Sequence, residues 1–149
     1  MAGPCCFSSN VQAAKVLGIL LVVLNLLYCL GTDEYGHRTT NVVYGILGAL
    51  ISGILVFGAI KRNSKAILVW IILAIIECIA LAVEAALLVI GLSLSNETIA
   101  EVSEVPLKDV SAVKAGMVFF LLFCIGGIFF TIWTIIVAKN ARKEIQNGQ

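Results

Sequence analysis

Two acidic residues, Glu77 and Glu84, lie inside an otherwise apolar stretch of the sequence, residues 66–92. Each would cost about 2.5–3.5 kcal/mol if it were charged near the centre of a lipid bilayer. A medium of low dielectric constant favours the neutral carboxyl group, which can take up, release or share a proton. The pair therefore indicates either a site for protons or cations, or polar contacts that hold helices together.

The spacing of the two glutamates places them on the same side of a helix. Residues seven apart differ by only about 20° in direction around the helix axis. Ala74 and Ala80 flank Glu77, so this side is also narrow enough for close contact with another helix. We predict that the side carrying both glutamates faces other helices and not lipid.

Two polar residues in the other apolar stretches are candidate partners for Glu77. Asn25 lies inside the first stretch and Ser52 inside the second. Counted from the ends of their stretches, both fall near the depth of the glutamates if successive helices run in opposite directions. We predict that neutral Glu77 forms a hydrogen bond with Asn25 or Ser52, while Glu84, nearer the far end, reaches water.

The chain contains no motif of a soluble catalytic or metal site. It has no glycine-rich phosphate loop, no serine elbow and no histidine and cysteine set with the spacing of zinc ligands. His37, the only histidine, has no ligand partner nearby, and the five cysteines show no metal-ligand spacing. We predict a non-enzymatic protein without a metal or cofactor.

The composition is that of an integral membrane protein, with 60% hydrophobic and 13% charged residues. Four apolar stretches approach or exceed the roughly 20 residues that cross a bilayer. The predicted spans are residues 14–30, 41–60, 66–92 and 115–138, after a head at 1–13 and before a tail at 139–149. The predicted fold class is all-α, a four-helix transmembrane bundle. The net charge of +1 gives no reason to expect a nucleic acid partner.

Positive charges predict the orientation of the bundle. Three cations lie in the turn 61–65 and three open the tail at 139–149. Since loops rich in lysine and arginine stay in the cytosol, both chain termini are predicted to be cytosolic. The short loop 31–40 and the longer, acidic loop 94–113 are then outside.

Three segments carry candidate modifications or local structure. Asn96 heads a glycosylation sequon in the outer loop. Cys5 and Cys6 lie just before the first span, where either palmitoylation or two reduced thiols are expected. The spacing of Thr98 and Glu101 resembles a capping box and predicts a short helix before Pro106, which could equally open the last helix.

Small residues recur at helical spacing in the second span. One row consists of Gly45, Ala49 and Gly53, and a parallel pair consists of Gly48 and Ser52. Small residues four apart let helix backbones approach closely in a membrane. We predict that these rows pack helices within the chain, in preference to forming a homodimer face.

Cys5-Cys6 before the first span, the segment SGILVFGAI (52–60) and the acid Glu77 resemble the lysosome-associated protein transmembrane family and its shorter invertebrate relatives. The resemblance implies four spans, cytosolic termini and a place in endosomal or lysosomal membranes. The tail lacks the Pro-Pro-x-Tyr and tyrosine sorting motifs by which that family recruits ubiquitin ligases and reaches lysosomes. The architecture is also similar to short invertebrate tetraspans such as the Pasiflora proteins of septate junctions, which implies the plasma membrane.

Our leading hypothesis is a non-enzymatic multi-pass membrane protein that acts by lateral association, in endosomal trafficking or in cell-junction assembly. Its partners would be the lipid bilayer and other membrane proteins, including further copies of itself. The alternative is a small oligomeric transporter coupled to protons or cations through Glu77 and Glu84. A proteolipid-like rotor subunit is disfavoured, because the first and third spans have only Gly18 and Gly91 as glycines.

Overall fold

The computed structural model describes residues 9–29, 38–103 and 106–148, with side chains for 9–27, 42–103 and 106–148. These residues form helices and no strand, so the predicted all-α class is confirmed for them. Cys5, Cys6 and His37 lie outside the described residues. The helices are α1 (Asn10–Cys29), α2 (Arg38–Ile60), α3 (Ser64–Ser93), α4 (Asn96–Ser103) and α5 (Val110–Asn147), with a 3-10 turn at Leu107–Asp109 before α5.

Four of these helices, α1, α2, α3 and α5, are long and apolar enough to cross a membrane. The 30 residues of α3 and the 38 residues of α5 correspond to lengths of about 45 Å and 57 Å at 1.5 Å per residue. A hydrocarbon core is only about 30 Å thick. Both helices are therefore long enough to extend past the core into the polar layers.

All four long helices extend beyond the predicted spans, by one to nine residues at an end, and α1 and α5 do so most informatively. The first begins at Asn10 instead of residue 14, because the Ser9 hydroxyl accepts a hydrogen bond from the Gln12 backbone N–H (3.1 Å) and caps the helix. The last continues through the predicted tail to Asn147. Ala141 and Ile145 are buried there, so the tail has an apolar side although it is rich in charge.

The segment between α3 and α5 contains the predicted short helix. Its cap is Ser95 and not Thr98, because the Ser95 hydroxyl accepts a hydrogen bond from the Thr98 backbone N–H (3.2 Å). Pro106 precedes the 3-10 turn, and its carbonyl oxygen accepts a hydrogen bond from the Asp109 N–H (2.8 Å). Both roles considered for this segment are therefore present, a helix before Pro106 and a helical turn after it.

The chain divides into two compact units. The first unit consists of Met1–Ile75 and Trp133–Gln149, and the second of Ile76–Ile132. Buried residues of the first unit come from α1, the end of α2, the start of α3 and the end of α5, and include Leu17, Leu55, Ile67, Trp70, Ala138 and Ala141. The buried hydrophobic residues described in the second unit are Ile99, Val110 and Cys124.

A three-residue connection joins α2 to α3. Arg62 has φ 49°, in the left-handed region, and the Asn63 N–H donates to the Gly58 carbonyl oxygen (2.8 Å), as in a Schellman motif. The Asn63 side-chain oxygen also accepts hydrogen bonds from the backbone N–H groups of Lys65 (3.0 Å) and Ala66 (3.2 Å). One residue therefore closes α2 and caps α3, which fixes the turn that the sequence predicted.

We expect Arg62→Gly to raise the free energy of unfolding by about 1 kcal/mol, because glycine adopts the left-handed conformation without the clash of a Cβ atom. Unfolding in detergent micelles, followed by circular dichroism, measures the change. Arg62→Ala is the control, since it removes the charge but keeps the Cβ atom. Equal stabilisation by both variants would attribute the gain to charge and contradict the backbone explanation.

Candidate functional site

A polar contact joins α1 and α2 inside the first unit. The Asn25 side-chain nitrogen donates to the Leu21 carbonyl oxygen (2.8 Å) and to the Ser52 hydroxyl oxygen (3.4 Å). Ser52 is only 5% exposed. A hydrogen bond between buried polar groups of two membrane helices contributes about 1 kcal/mol or less. This contact therefore fixes the register of the two helices more than it adds to their stability.

Gly48 provides the space that Asn25 occupies. A Cβ atom added at Gly48 would overlap the Asn25 side-chain amide, its oxygen first of all. We call Asn25, Gly48 and Ser52 the polar node. The sequence identified all three residues but as two separate features, a polar pair and a row of small residues, whereas the structure brings them together in one contact.

Two glycines outside the predicted rows of small residues also lie where two helices are in close contact. A Cβ atom at Gly18 would lie 2.8 Å from Val56 Cγ2 and 3.2 Å from the Val56 backbone nitrogen. One at Gly58 would lie 2.7 Å from Ile67 Cγ1. Neither glycine belongs to the predicted rows, and a single glycine facing a branched residue leaves no periodic signal in a sequence.

The predicted small residues of α2 differ in their surroundings. Gly45 is buried and Ala49 is half-buried. Gly53 faces open space, since a Cβ atom there would have no neighbour within 4 Å. The members of this row therefore differ in how closely they are packed, and the row is open at Gly53.

Glu77 and Glu84 are both exposed on α3, in the second unit. Within that unit, no described residue donates a hydrogen bond to either carboxyl group. Both carboxyl groups are thus accessible within the second unit, and the prediction that this side of α3 faces other helices stays a prediction. The predicted bond from Glu77 to Asn25 or Ser52 stays a prediction. In the first unit, these two polar residues bond to each other.

The position of each glutamate along α3 determines its cost in a bilayer. Measured from Ala66, where the apolar stretch begins, Glu77 lies about 17 Å and Glu84 about 27 Å along the helix at 1.5 Å per residue. In a hydrocarbon core about 30 Å thick, Glu77 would lie near the centre and Glu84 near one margin. Glu77 is therefore the residue that most needs a polar partner.

The predicted glycosylation site lies at the start of α4. Asn96 is exposed and is the first residue of that helix. The Thr98 hydroxyl, which belongs to the same sequon, is hydrogen-bonded to the Ser95 hydroxyl (2.8 Å). Nearby, the Lys114 ammonium group donates to the Leu94 carbonyl oxygen (3.3 Å), which joins the start of α5 to the end of α3.

The described residues offer no metal site. They contain no group of three or more histidine, cysteine, aspartate or glutamate side chains placed to hold an ion. Cys78 and Cys124, whose side chains are described, are free thiols. The chemistry available inside the described apolar helices is therefore that of carboxyl, amide, hydroxyl and thiol groups.

No family model matches the chain, and comparisons with curated proteins and with solved structures found no match. Four apolar helices of spanning length, with acids on one of them, are compatible with an integral membrane protein that lies in a lipid bilayer.

Proposed function

We propose that the chain is a four-span membrane protein that acts by lateral association, with the acidic side of α3 (Glu77, Ala80 and Glu84) as its contact surface. The observation that carries this proposal is the exposure of both glutamates. Ionisable side chains at membrane depth almost always face protein or water, because lipid cannot solvate them. Ala80 lies between the two acids and allows a partner helix to come close.

The distribution of charge supports cytosolic positions for both termini. The α2–α3 connection carries Lys61, Arg62 and Lys65, and the end of α5 carries Lys139, Arg142 and Lys143. Cations next to spans remain on the cytosolic side. The segment around α4 carries acids and the sequon, which agrees with a position outside the cytosol.

A second copy of the chain is the simplest partner. A neutral carboxyl group both donates and accepts hydrogen bonds, so the acidic sides of two copies can satisfy each other. A different membrane protein with a polar group at the same depth would fit the same surface. Trafficking between endosomal and lysosomal membranes, and assembly of cell junctions at the plasma membrane, are the settings that we propose for such an association.

We expect Glu77→Leu to weaken self-association roughly 5- to 30-fold, which corresponds to the 1–2 kcal/mol of an interhelical polar contact in model peptides. The leucine side chain removes both the hydrogen bond and the cost of leaving a carboxyl group in lipid. Energy transfer between donor- and acceptor-labelled copies in liposomes, at a series of protein-to-lipid ratios, measures the association.

Ile79→Leu is the matched control, because Ile79 is an exposed apolar neighbour on the same helix. Circular dichroism confirms that both variants keep their helices. Association that is as tight in Glu77→Leu as in Ile79→Leu would contradict the acidic side of α3 as the contact surface between copies. A wild-type chain that stays monomeric at every ratio would contradict self-association itself.

The alternative function, an oligomeric transporter coupled to protons or cations, is supported by the same two acids. They lie seven residues apart on one exposed side of α3, as successive sites along a path would. Proton or cation flux into liposomes distinguishes the two functions. Flux that is lost in Glu77→Gln/Glu84→Gln while association is kept would favour the transporter.

A further inference from the structure

An apolar groove of about 430 Å³ runs between α1 and α2 in the first unit. Ile19, Val22 and Val23 line it on α1, and the last two turns of α2, between Gly53 and Lys61, line it on the other side. We call it the α1–α2 groove. Gly53 leaves it open, since no atom lies within 4 Å of the place where a side chain would begin.

The groove ends at a cation. From Gly53 to Lys61 it extends about 12 Å along α2 at 1.5 Å per residue. Lys61 is the one charged residue in the lining, and it follows directly after the last residue of α2. The groove thus begins between the apolar parts of α1 and α2, and it opens at the end of α2.

The first unit, to which the groove belongs, carries a strong excess of positive charge. Lys15 is exposed and lies one helical turn before Ile19 on the same side of α1, and Arg62 is exposed beside Lys61. The side chains described in the first unit include seven cations and one acid, Glu144. The Glu144 carboxylate accepts a hydrogen bond from the Asn10 backbone N–H (2.9 Å). The seven cations are Lys15, Lys61, Arg62, Lys65, Lys139, Arg142 and Lys143.

We propose that the α1–α2 groove holds an acyl chain of an anionic phospholipid whose phosphate group contacts Lys61. A phospholipid combines the two features that the groove requires, an apolar chain and an anion at one end of that chain. A zwitterionic lipid has the same chain but no net charge to match the cations. Basic side chains next to a membrane span attract anionic headgroups in this way.

A second copy of the chain fits the groove less well. Two copies with the same orientation in the membrane would bring Lys15, Lys61 and Arg62 together at the same depth, where they repel. The proposal does not depend on the acidic side of α3, which belongs to a different surface. It can therefore hold or fail independently of lateral association.

The test uses the full chain in lipid vesicles with spin-labelled phosphatidylglycerol or phosphatidylcholine of equal chain length. Electron spin resonance gives the relative association constant of each lipid with the protein. We expect phosphatidylglycerol to bind at least about fivefold more tightly, and Lys61→Gln to lower that preference about fivefold, which is the value of one cation near a membrane surface. Lys108→Gln removes an exposed cation outside this unit and should leave the preference unchanged.

A second variant tests the chain-binding part of the groove. Gly53→Leu fills the open space, and we expect it to lower phosphatidylglycerol binding at least about fivefold while the fold is kept. Gly126→Leu is its control, because Gly126 also faces open space but lies on α5. Inorganic phosphate at millimolar concentration should not displace the lipid, since the acyl chain holds it.

Three results would overturn the proposal. The first is equal binding of the two lipids by the wild-type protein. The second is a preference that Lys61→Gln does not lower, or phosphatidylglycerol binding that Gly53→Leu does not lower. The third is dissociation of a dimer by Gly53→Leu, which would assign the groove to a second copy.

Discussion

Gly48→Leu is expected to separate α1 from α2 and to lower the free energy of unfolding by about 3 kcal/mol. Even a Cβ atom at this position would overlap the side-chain amide of Asn25. Overpacking of this kind costs about 1–3 kcal/mol. The displaced amide would also lose its hydrogen bond to Ser52, which contributes about 1 kcal/mol or less.

Unfolding in detergent micelles measures this effect, and Gly53→Leu is the matched control. It is the same substitution on the same helix, at a position with no neighbour within 4 Å, and should change stability by no more than about 0.5 kcal/mol. A double variant, Gly48→Ala/Asn25→Ala, should lose less stability than the two single changes together, because shortening Asn25 removes the clash. Equal stability of Gly48→Leu and Gly53→Leu would refute the polar node.

The contrast between Gly48 and Gly53 shows what the sequence can predict about packing. Both residues belong to rows of small residues four apart in α2, and such rows indicate a surface suited to close contact. The rows do not tell which neighbour each position meets. Asn25 lies 23 positions earlier in the chain, so its insertion against Gly48 depends on how two whole helices are aligned.

Long apolar helices were the most predictable part of the fold. A bilayer sets a minimum length for an apolar stretch, so four stretches could be counted directly from the residues. The end of α2 at Ile60 and the turn after it agree with the predicted span. The end of α5 was missed because uniform hydrophobicity stops near Ala138. Beyond that point, only an amphipathic pattern, with Ala141 and Ile145 buried, continues the helix.

The sequence predicts that the acidic side of α3 needs polar partners, but it does not predict where those partners lie. The spacing of Glu77 and Glu84 shows that one side of the helix needs polar partners, because lipid solvates neither acid. The spacing does not show whether this chain supplies those partners. We predicted that the polar partners of these acids would lie inside the bundle. Both glutamates are exposed, and we therefore propose that another chain supplies the partners.

Gly58→Leu is expected to disrupt the junction of α2 and α3, with a loss of about 3 kcal/mol or failure to fold. A Cβ atom at Gly58 would lie 2.7 Å from Ile67 Cγ1 and 3.1 Å from the Ile67 backbone nitrogen. Ile67 is 0% exposed, so other residues surround it. The Gly58 carbonyl oxygen also accepts the Asn63 hydrogen bond that closes the turn (2.8 Å), so a shift of α3 would break it.

Gly126→Leu is the matched control for this prediction, since it adds the same side chain to another membrane helix at an open position. The unfolding free energy in micelles is compared for the two variants. Ile67→Ala should only partly rescue Gly58→Ala, because it removes the Cγ1 contact but leaves the backbone nitrogen 3.1 Å away. Full rescue would show that the contact is between side chains alone. A Gly58→Leu protein as stable as Gly126→Leu would contradict the close packing of α3 against α2 at Gly58.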